Sequence, residues 1–173
     1  MNASKSLLFT LSLILLSHAA TSSINLYESV CKDAGEDSEK CLVFLKDDPK
    51  ILAARSYKKL AKVILEMGLK KGVEGQNFLK ELAKSNPNSK AIAQCANELY
   101  DGVVGSFKSS LGELEQDALT ASYDAKVASD GPTTCDRALA AENINNPSIA
   151  NLNKDVLFLS SLSFFAVSKL PVP

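Results

Sequence analysis

Between Asn88 and Leu114 the apolar residues fall at Ile92, Cys95 or Ala96, Leu99, Val103, Phe107, Leu111 and Leu114. Steps of three and four alternate, the spacing that lines one face of a long helix. A similar pattern runs over Lys50 to Ser85, with Tyr57, Leu60, Ala61, Ile64, Met67, Phe78, Leu79 and Leu82 on the helical positions. Gly68, Gly72 and Gly75 interrupt it. Each glycine costs about 1 kcal/mol relative to alanine, and permits either a bend or the close approach of another helix. A third stripe spans about Ser148 to Lys169, with Leu152, Val156, Leu159, Leu162, Phe165, Ala166 and Leu170. Leu157, Phe158 and Phe164 widen it, so this helix is expected to be buried on most sides. A weaker pattern over Ala118 to Leu139 turns Leu119, Tyr123, Val127 and Ala128 inward. Asp130-Gly131-Pro132 interrupts that segment and predicts a kink or short break.

The polar stretches between these segments are punctuation. Asp47-Asp48-Pro49 reads as a turn and helix start, with proline tolerated in the first turn. Ser85-Asn86-Pro87-Asn88-Ser89 turns the chain back on itself, and Glu142 to Pro147 forms a polar loop. Upstream, Leu26 to Cys31 and Cys41 to Leu45 are two short apolar-faced pieces separated by Ala34-Gly35, the pattern of a small helical hairpin. No strand pattern competes beyond residue 22. The prediction is an all-α fold: an up-down-up-down four-helix bundle over 48–173 with an N-terminal helical hairpin over 23–47, together one domain.

Residues 1–22 stand apart. Lys5 precedes an apolar run from Leu7 to Leu16, followed by small residues through Ser23. This reads as a secretory signal cut near Ala19 to Ser23, and the run is too short for a membrane span. Cleavage leaves 18 basic and 20 acidic residues, a net charge of -2. Four cysteines remain in a chain bound for an oxidising compartment, which points to two disulfides. Three connectivities are formally possible. A local bridge between Cys31 and Cys41 leaves Cys95 with Cys135, and antiparallel neighbours in the bundle would bring those two ends together. Loop-closure entropy gives upper figures of about 2.7 kcal/mol for the short bridge and about 4 kcal/mol for the long one.

The signal also carries away His18, the only histidine. A mature chain without imidazole has no Ser-His-Asp or Cys-His centre and no usual zinc site, so no metal or other cofactor is expected. The carboxylates of Glu113, Glu115 and Asp117 are the remaining catalytic candidates, and their spacing across a helix end is that of a solvated turn. The charge balance gives no reason to expect nucleic acid. A hydrophobic-ligand carrier is a further class for a small secreted helical protein, although the eight-cysteine pattern with adjacent pairs is absent. The apolar C-terminus after a polar spacer also has the outline of a lipid-anchor signal, but four serines and Lys169 interrupt it and amphipathic packing explains it. No membrane anchor is expected. Asn146-Pro147-Ser148 is blocked as a glycosylation site by its proline.

With Val30-Cys31, Glu39-Lys40-Cys41-Leu42, Asp47-Asp48-Pro49, the Cys95 helix with Tyr100, and Asp130-Gly131-Pro132-Thr133-Thr134-Cys135-Asp136, the chain resembles the plant invertase and pectin methylesterase inhibitors. The resemblance covers essentially the whole mature chain. It implies a four-helix bundle with a helical hairpin, disulfides first to second and third to fourth, no catalysis, and one-to-one docking on a carbohydrate enzyme of the cell wall or vacuole. Secretion to the apoplast follows, with the vacuole as the alternative for an invertase-directed member. Two positions depart from the family pattern. The aromatic that follows the third cysteine by four residues is Leu99 here, with Tyr100 at five, and Leu139 stands where a phenylalanine is common. The Pro-Lys-Phe tripeptide of invertase-directed members is also missing; the nearest string is Ala125-Lys126-Val127. Pectin methylesterase is therefore the preferred target and invertase the alternative. The resemblance makes Glu98 and Asp101 on the second bundle helix, and Asp124, Lys126 and Asp130 on the third, the candidate enzyme contacts.

Overall fold

A computed structural model describes residues 25–171 of the chain. The expected signal segment lies outside the described residues. Helix α1 (Leu26–Asp33) and α2 (Ser38–Leu45) form the N-terminal hairpin around a short 3-10 turn, Gly35–Asp37. Gly35 sits there at φ +58°, a left-handed conformation that glycine adopts without strain. The Cys31–Cys41 disulfide closes the hairpin across a Cα–Cα distance of 5.3 Å. Helix α3 (Pro49–Ala53) follows, capped by the Asp48 carboxylate, which accepts from the Lys50 and Ile51 amides at 2.8 and 3.2 Å.

The bundle has four members. The first is α4 (Tyr57–Ser85), started by the Ser56 hydroxyl and separated from α3 by the extended residue Ala54 and its neighbours. The sequence pattern ran these two helices together. Its three central glycines do not interrupt α4: all are buried, and a Cβ on Gly68 would overlap the Phe107 ring, while one on Gly75 would approach Leu152 within 2.6 Å. Close approach, not a bend, is their role. The second member is one continuous rod of α5 (Lys90–Gln94), a π-helical turn (Cys95–Leu99) and α6 (Tyr100–Glu113). The third is α7 (Ala118–Val127) and α8 (Asp130–Ala141). The expected break lies at Ala128–Ser129, just before Asp130-Gly131-Pro132, which forms the first turn of α8. Proline is harmless there because its missing N–H has no intrahelical partner to lose. The fourth is α9 (Pro147–Val167), capped by Asn146, whose side-chain oxygen accepts from the Ser148 and Ile149 amides at 3.0 and 3.2 Å.

Going round the bundle, α4 packs on α6, α6 on α7, α7 on α9, and α9 back on α4. Helices α4 and α7 therefore stand diagonally opposite. Between them Leu60, Ile64, Leu65, Leu79, Tyr100, Phe107, Ile149 and Leu162 are fully buried. Burying such a side chain is worth about 1.5–3 kcal/mol. As its pattern predicts, α9 is enclosed on most sides, with Val156, Phe158, Leu159, Leu162 and Ala166 buried. The hairpin seats on α9, where Phe44 meets Phe158 edge to face at 5.5 Å and Lys40 Nζ lies 3.9 Å from the same ring. Among the described residues there is no strand, and no helix is long and apolar enough to cross a membrane.

Candidate docking face

Helix α7 has two competing sets of residues, the small Ala121, Ser122 and Ala125, and the large Leu119 and Tyr123. The small set turns inward. Ser110 Oγ of α6 donates to the Ala121 carbonyl, and Ser160 Oγ of α9 donates to the Ala125 carbonyl, each at 2.7 Å. Such contacts require a neighbouring helix to reach the α7 backbone, which alanine and serine permit and leucine and tyrosine would block. Leu119 and Tyr123 are consequently turned out, 62% and 66% exposed, the most exposed large apolar side chains among the described residues. Their expected inward orientation is thus corrected, while Ala128 is buried and Val127 half-buried. The signal that could have found this is the small-residue spacing Ala118, Ala121, Ala125, Ala128, itself a helical stripe.

The next landmark is the crossing of α8 over the π turn. The Cys95–Cys135 disulfide joins them across a Cα–Cα distance of 5.1 Å. A Cβ on Gly131 would lie 2.6 Å from the Leu99 carbonyl oxygen, so only glycine fits this crossing. Asp130, one residue earlier and exposed, therefore stands level with the turn that carries the exposed Glu98. Asp101 lies elsewhere, on the α4–α6 edge, where it accepts a hydrogen bond from the buried Gln76 amide. Lys126 lies on the α7–α9 edge, with Nζ 5.7 Å from the Phe164 ring. Asp124 is half-buried on the other flank of α7 from Lys126. The five acidic and basic candidates are thus not one cluster. Glu98 and Asp130 are each one residue from the close approach of Gly131 to the Leu99 backbone, Asp124 and Lys126 flank the exposed Leu119–Tyr123 stripe, and Asp101 is held by α4.

A polar chain ties α6, α9 and α8 together, its Tyr100 and Asn153 buried and its Asp136 at the surface. Tyr100 Oη donates to Asn153 Oδ1 at 2.6 Å, and Asn153 Nδ2 donates to Asp136 Oδ1 at 2.6 Å. Burial, reinforced by the negative charges of Asp136 and Asp155, pushes the Tyr100 hydroxyl far above its ordinary pKa, so it remains a donor. Tyr100 reaches this place through the π turn. Five residues after Cys95, it falls where the fourth would fall in an α-helix, because a π turn accommodates one extra residue. Leu99 is left half-buried. A second clamp closes the end of the rod: Glu142, just after α8, accepts from Ser89 Oγ at 2.7 Å and from the Ala91 amide at 2.9 Å. Among the described residues no group of His, Cys, Asp or Glu side chains is arranged to hold a metal ion.

A family model for plant invertase/pectin methylesterase inhibitors matches residues 25–164, from the first turn of the hairpin to the last turns of α9. The chain belongs to this family. Two solved structures share the fold of this inhibitor. One is a mutant form of a pectin methylesterase inhibitor from Arabidopsis, 21% identical, with a TM-score of 0.74 over 85% of this chain and 98% of that one. The other is a pectin methylesterase inhibitor from Arabidopsis thaliana, also 21% identical, with a TM-score of 0.64 over 87% of this chain and 99% of that one. A search of curated protein sequences finds no match. Members of the invertase/pectin methylesterase inhibitor family are extracellular inhibitors rather than enzymes, acting on one or other of those two targets. Both disulfides of this inhibitor follow the first-to-second, third-to-fourth pairing.

Proposed function

We propose that this protein is a secreted inhibitor that docks one-to-one on a pectin methylesterase and covers its active-site cleft, limiting de-esterification of cell-wall pectin. The observation that carries the reading is the outer face of α7. A folded monomer gains nothing from leaving Leu119 and Tyr123 in water, and a partner that buried them would recover about 1.5–3 kcal/mol for each. Asp124 and Lys126 flank this stripe, with Asp130 and Glu98 beyond it, and supply hydrogen-bonding and charged groups for a cleft shaped around a polar, acidic polymer. The stripe is held on a disulfide-locked bundle, so little conformational entropy is lost on docking. The two solved structures described above are pectin methylesterase inhibitors, which supports the choice of target. The absence of a Pro-Lys-Phe string favours the esterase over invertase.

The test is a titration of the oxidised mature protein into a plant pectin methylesterase and an acid invertase, from acidic to neutral pH, reading residual activity. Inhibition of the esterase alone is expected. Inhibition of invertase alone would reverse the target, and inhibition of neither would remove the proposal.

A further inference from the structure

Charge is segregated across the bundle. Helix α4 carries seven lysines against three glutamates, a net charge of +4. The stretch from Lys90 to Glu142, which includes the proposed docking face, carries four basic against nine acidic residues, a net charge of -5. The excess on α4 is not spread evenly around the helix. Lys59, Lys62, Lys70, Lys80 and Lys84 recur at helical spacing along its outer side, with the carboxylates of Glu66, Glu74 and Glu81 among them. At a rise of 1.5 Å per residue this ridge is about 38 Å long. Lys70 and Lys84 have Glu74 and Glu81 as neighbours at 3.9 and 2.7 Å, whereas Lys59, Lys62 and Lys80 have no ion-pair partner among the described residues. Near its end the ridge opens into a cleft of about 530 Å³ lined by Asn77, Lys80, Glu81, Ala83, Lys84 and Asn97.

We propose that this ridge and its terminal cleft bind a linear acidic polysaccharide bearing a carboxylate on successive sugars. Ammonium groups spaced along a ridge suit a polyanion better than a single small anion, because each contact is weak and an extended chain adds them. The two amides of the cleft offer donors and acceptors for sugar hydroxyls, Lys80 offers a cation with no ion-pair partner among the described residues, and Lys84 one that it shares with Glu81. The identity of the polymer rests on the esterase reading: hydrolysis of each methyl ester releases methanol and a proton and leaves one carboxylate on the chain. The product of the target enzyme is then the ligand of the ridge. Because α4 and α7 stand diagonally opposite, polymer and enzyme can be held at once, which concentrates the inhibitor where de-esterification has already occurred.

The experiment measures binding of the oxidised mature protein to immobilised polygalacturonate and to fully methyl-esterified pectin, with no enzyme present. Three proteins are compared: wild type, the ridge variant Lys59→Glu/Lys62→Glu/Lys80→Glu, and a control of equal net charge, Lys32→Glu/Arg137→Glu/Lys154→Glu, whose changes lie off α4. Wild type and control are expected to bind polygalacturonate and not the esterified polymer, with binding that weakens as salt rises. The ridge variant should lose affinity on the order of tenfold or more. A Lys→Gln version of the ridge variant with an unchanged melting temperature guards against misfolding. Equal binding by the ridge variant, equal loss in the control, or equal binding of the esterified polymer would each overturn the proposal. Esterase inhibition is read separately. Polymer binding without inhibition would leave the ridge standing and sink the esterase reading, and inhibition without polymer binding would do the reverse.

Discussion

Tyr100 Oη lies 2.6 Å from Asn153 Oδ1 in the middle of the bundle, both residues fully buried. The pair converts a contact between α6 and α9 into a directional one. In Tyr100→Phe the ring still fills its place, but the fully buried Asn153 Oδ1 loses its donor. The expected destabilisation is about 1–3 kcal/mol, read as a fall of several degrees in melting temperature with the disulfides intact. An unchanged melting temperature would show that the hydroxyl contributes no net stability.

Glu142 gives the fold an acid-sensitive clamp. The Ser89 hydroxyl, and after it the Ala91 amide, hold its carboxyl below the ordinary value of 4.5. A depressed folded-state pKa contributes stability that is present above 4.5 and disappears as pH falls through the folded value. Glu142→Gln should therefore melt below wild type at neutral pH, with the two proteins converging on acidification. Parallel curves at every pH would mean the carboxylate is not the linked group. Asp117 is lowered in the same direction by the side chain and amide of Thr120, so some acid sensitivity should survive in the variant.

The glycines separate into two kinds that substitution will distinguish. Gly68→Ala drives a methyl group into the Phe107 ring and should cost about 1–3 kcal/mol. Gly105→Ala, on the exposed side of α6 with open space around it, should instead stabilise by about 0.5–1 kcal/mol. Thermal melts of the two single variants test both signs.

On the exposed stripe the expectation is opposite in kind. Tyr123→Ala and Leu119→Ala should leave the melting temperature within about a degree of wild type, since exposed positions contribute little to stability. If Tyr123 anchors the enzyme, its loss should weaken inhibition by about 2 kcal/mol, roughly thirtyfold in inhibition constant. Inhibition equal to that of wild type would move the docking surface off α7.

The helical architecture was legible because long amphipathic stripes and polar turns are local signals. The disulfide pairing followed from that topology. Two local decisions were not legible, and both were settled by neighbours. In the Cys95 rod the periodicity is compatible with an uninterrupted α-helix, and the π turn that brings Tyr100 inward appears only once its hydroxyl has Asn153 to meet. In α7 the large apolar residues and the small ones trace rival helical faces. Hydrophobicity favours the first, and the serine hydroxyls of α6 and α9, remote in sequence, select the second. Among the candidate contacts, exposure of Glu98 followed the helical spacing, whereas the engagement of Asp101 with Gln76 depended on how α4 and α6 are packed.

The inverted packing of α7 separates two tasks that most helices combine. Its attachment to the bundle rests on alanines and on backbone carbonyls, so the side chains it shows to the outside carry almost none of the folding free energy. Residues 119 and 123 can then change in size, charge or aromaticity while the scaffold stays folded. A bundle built in this way can acquire a new target through substitutions that folding does not oppose, and a change of specificity need not pass through an unstable intermediate sequence.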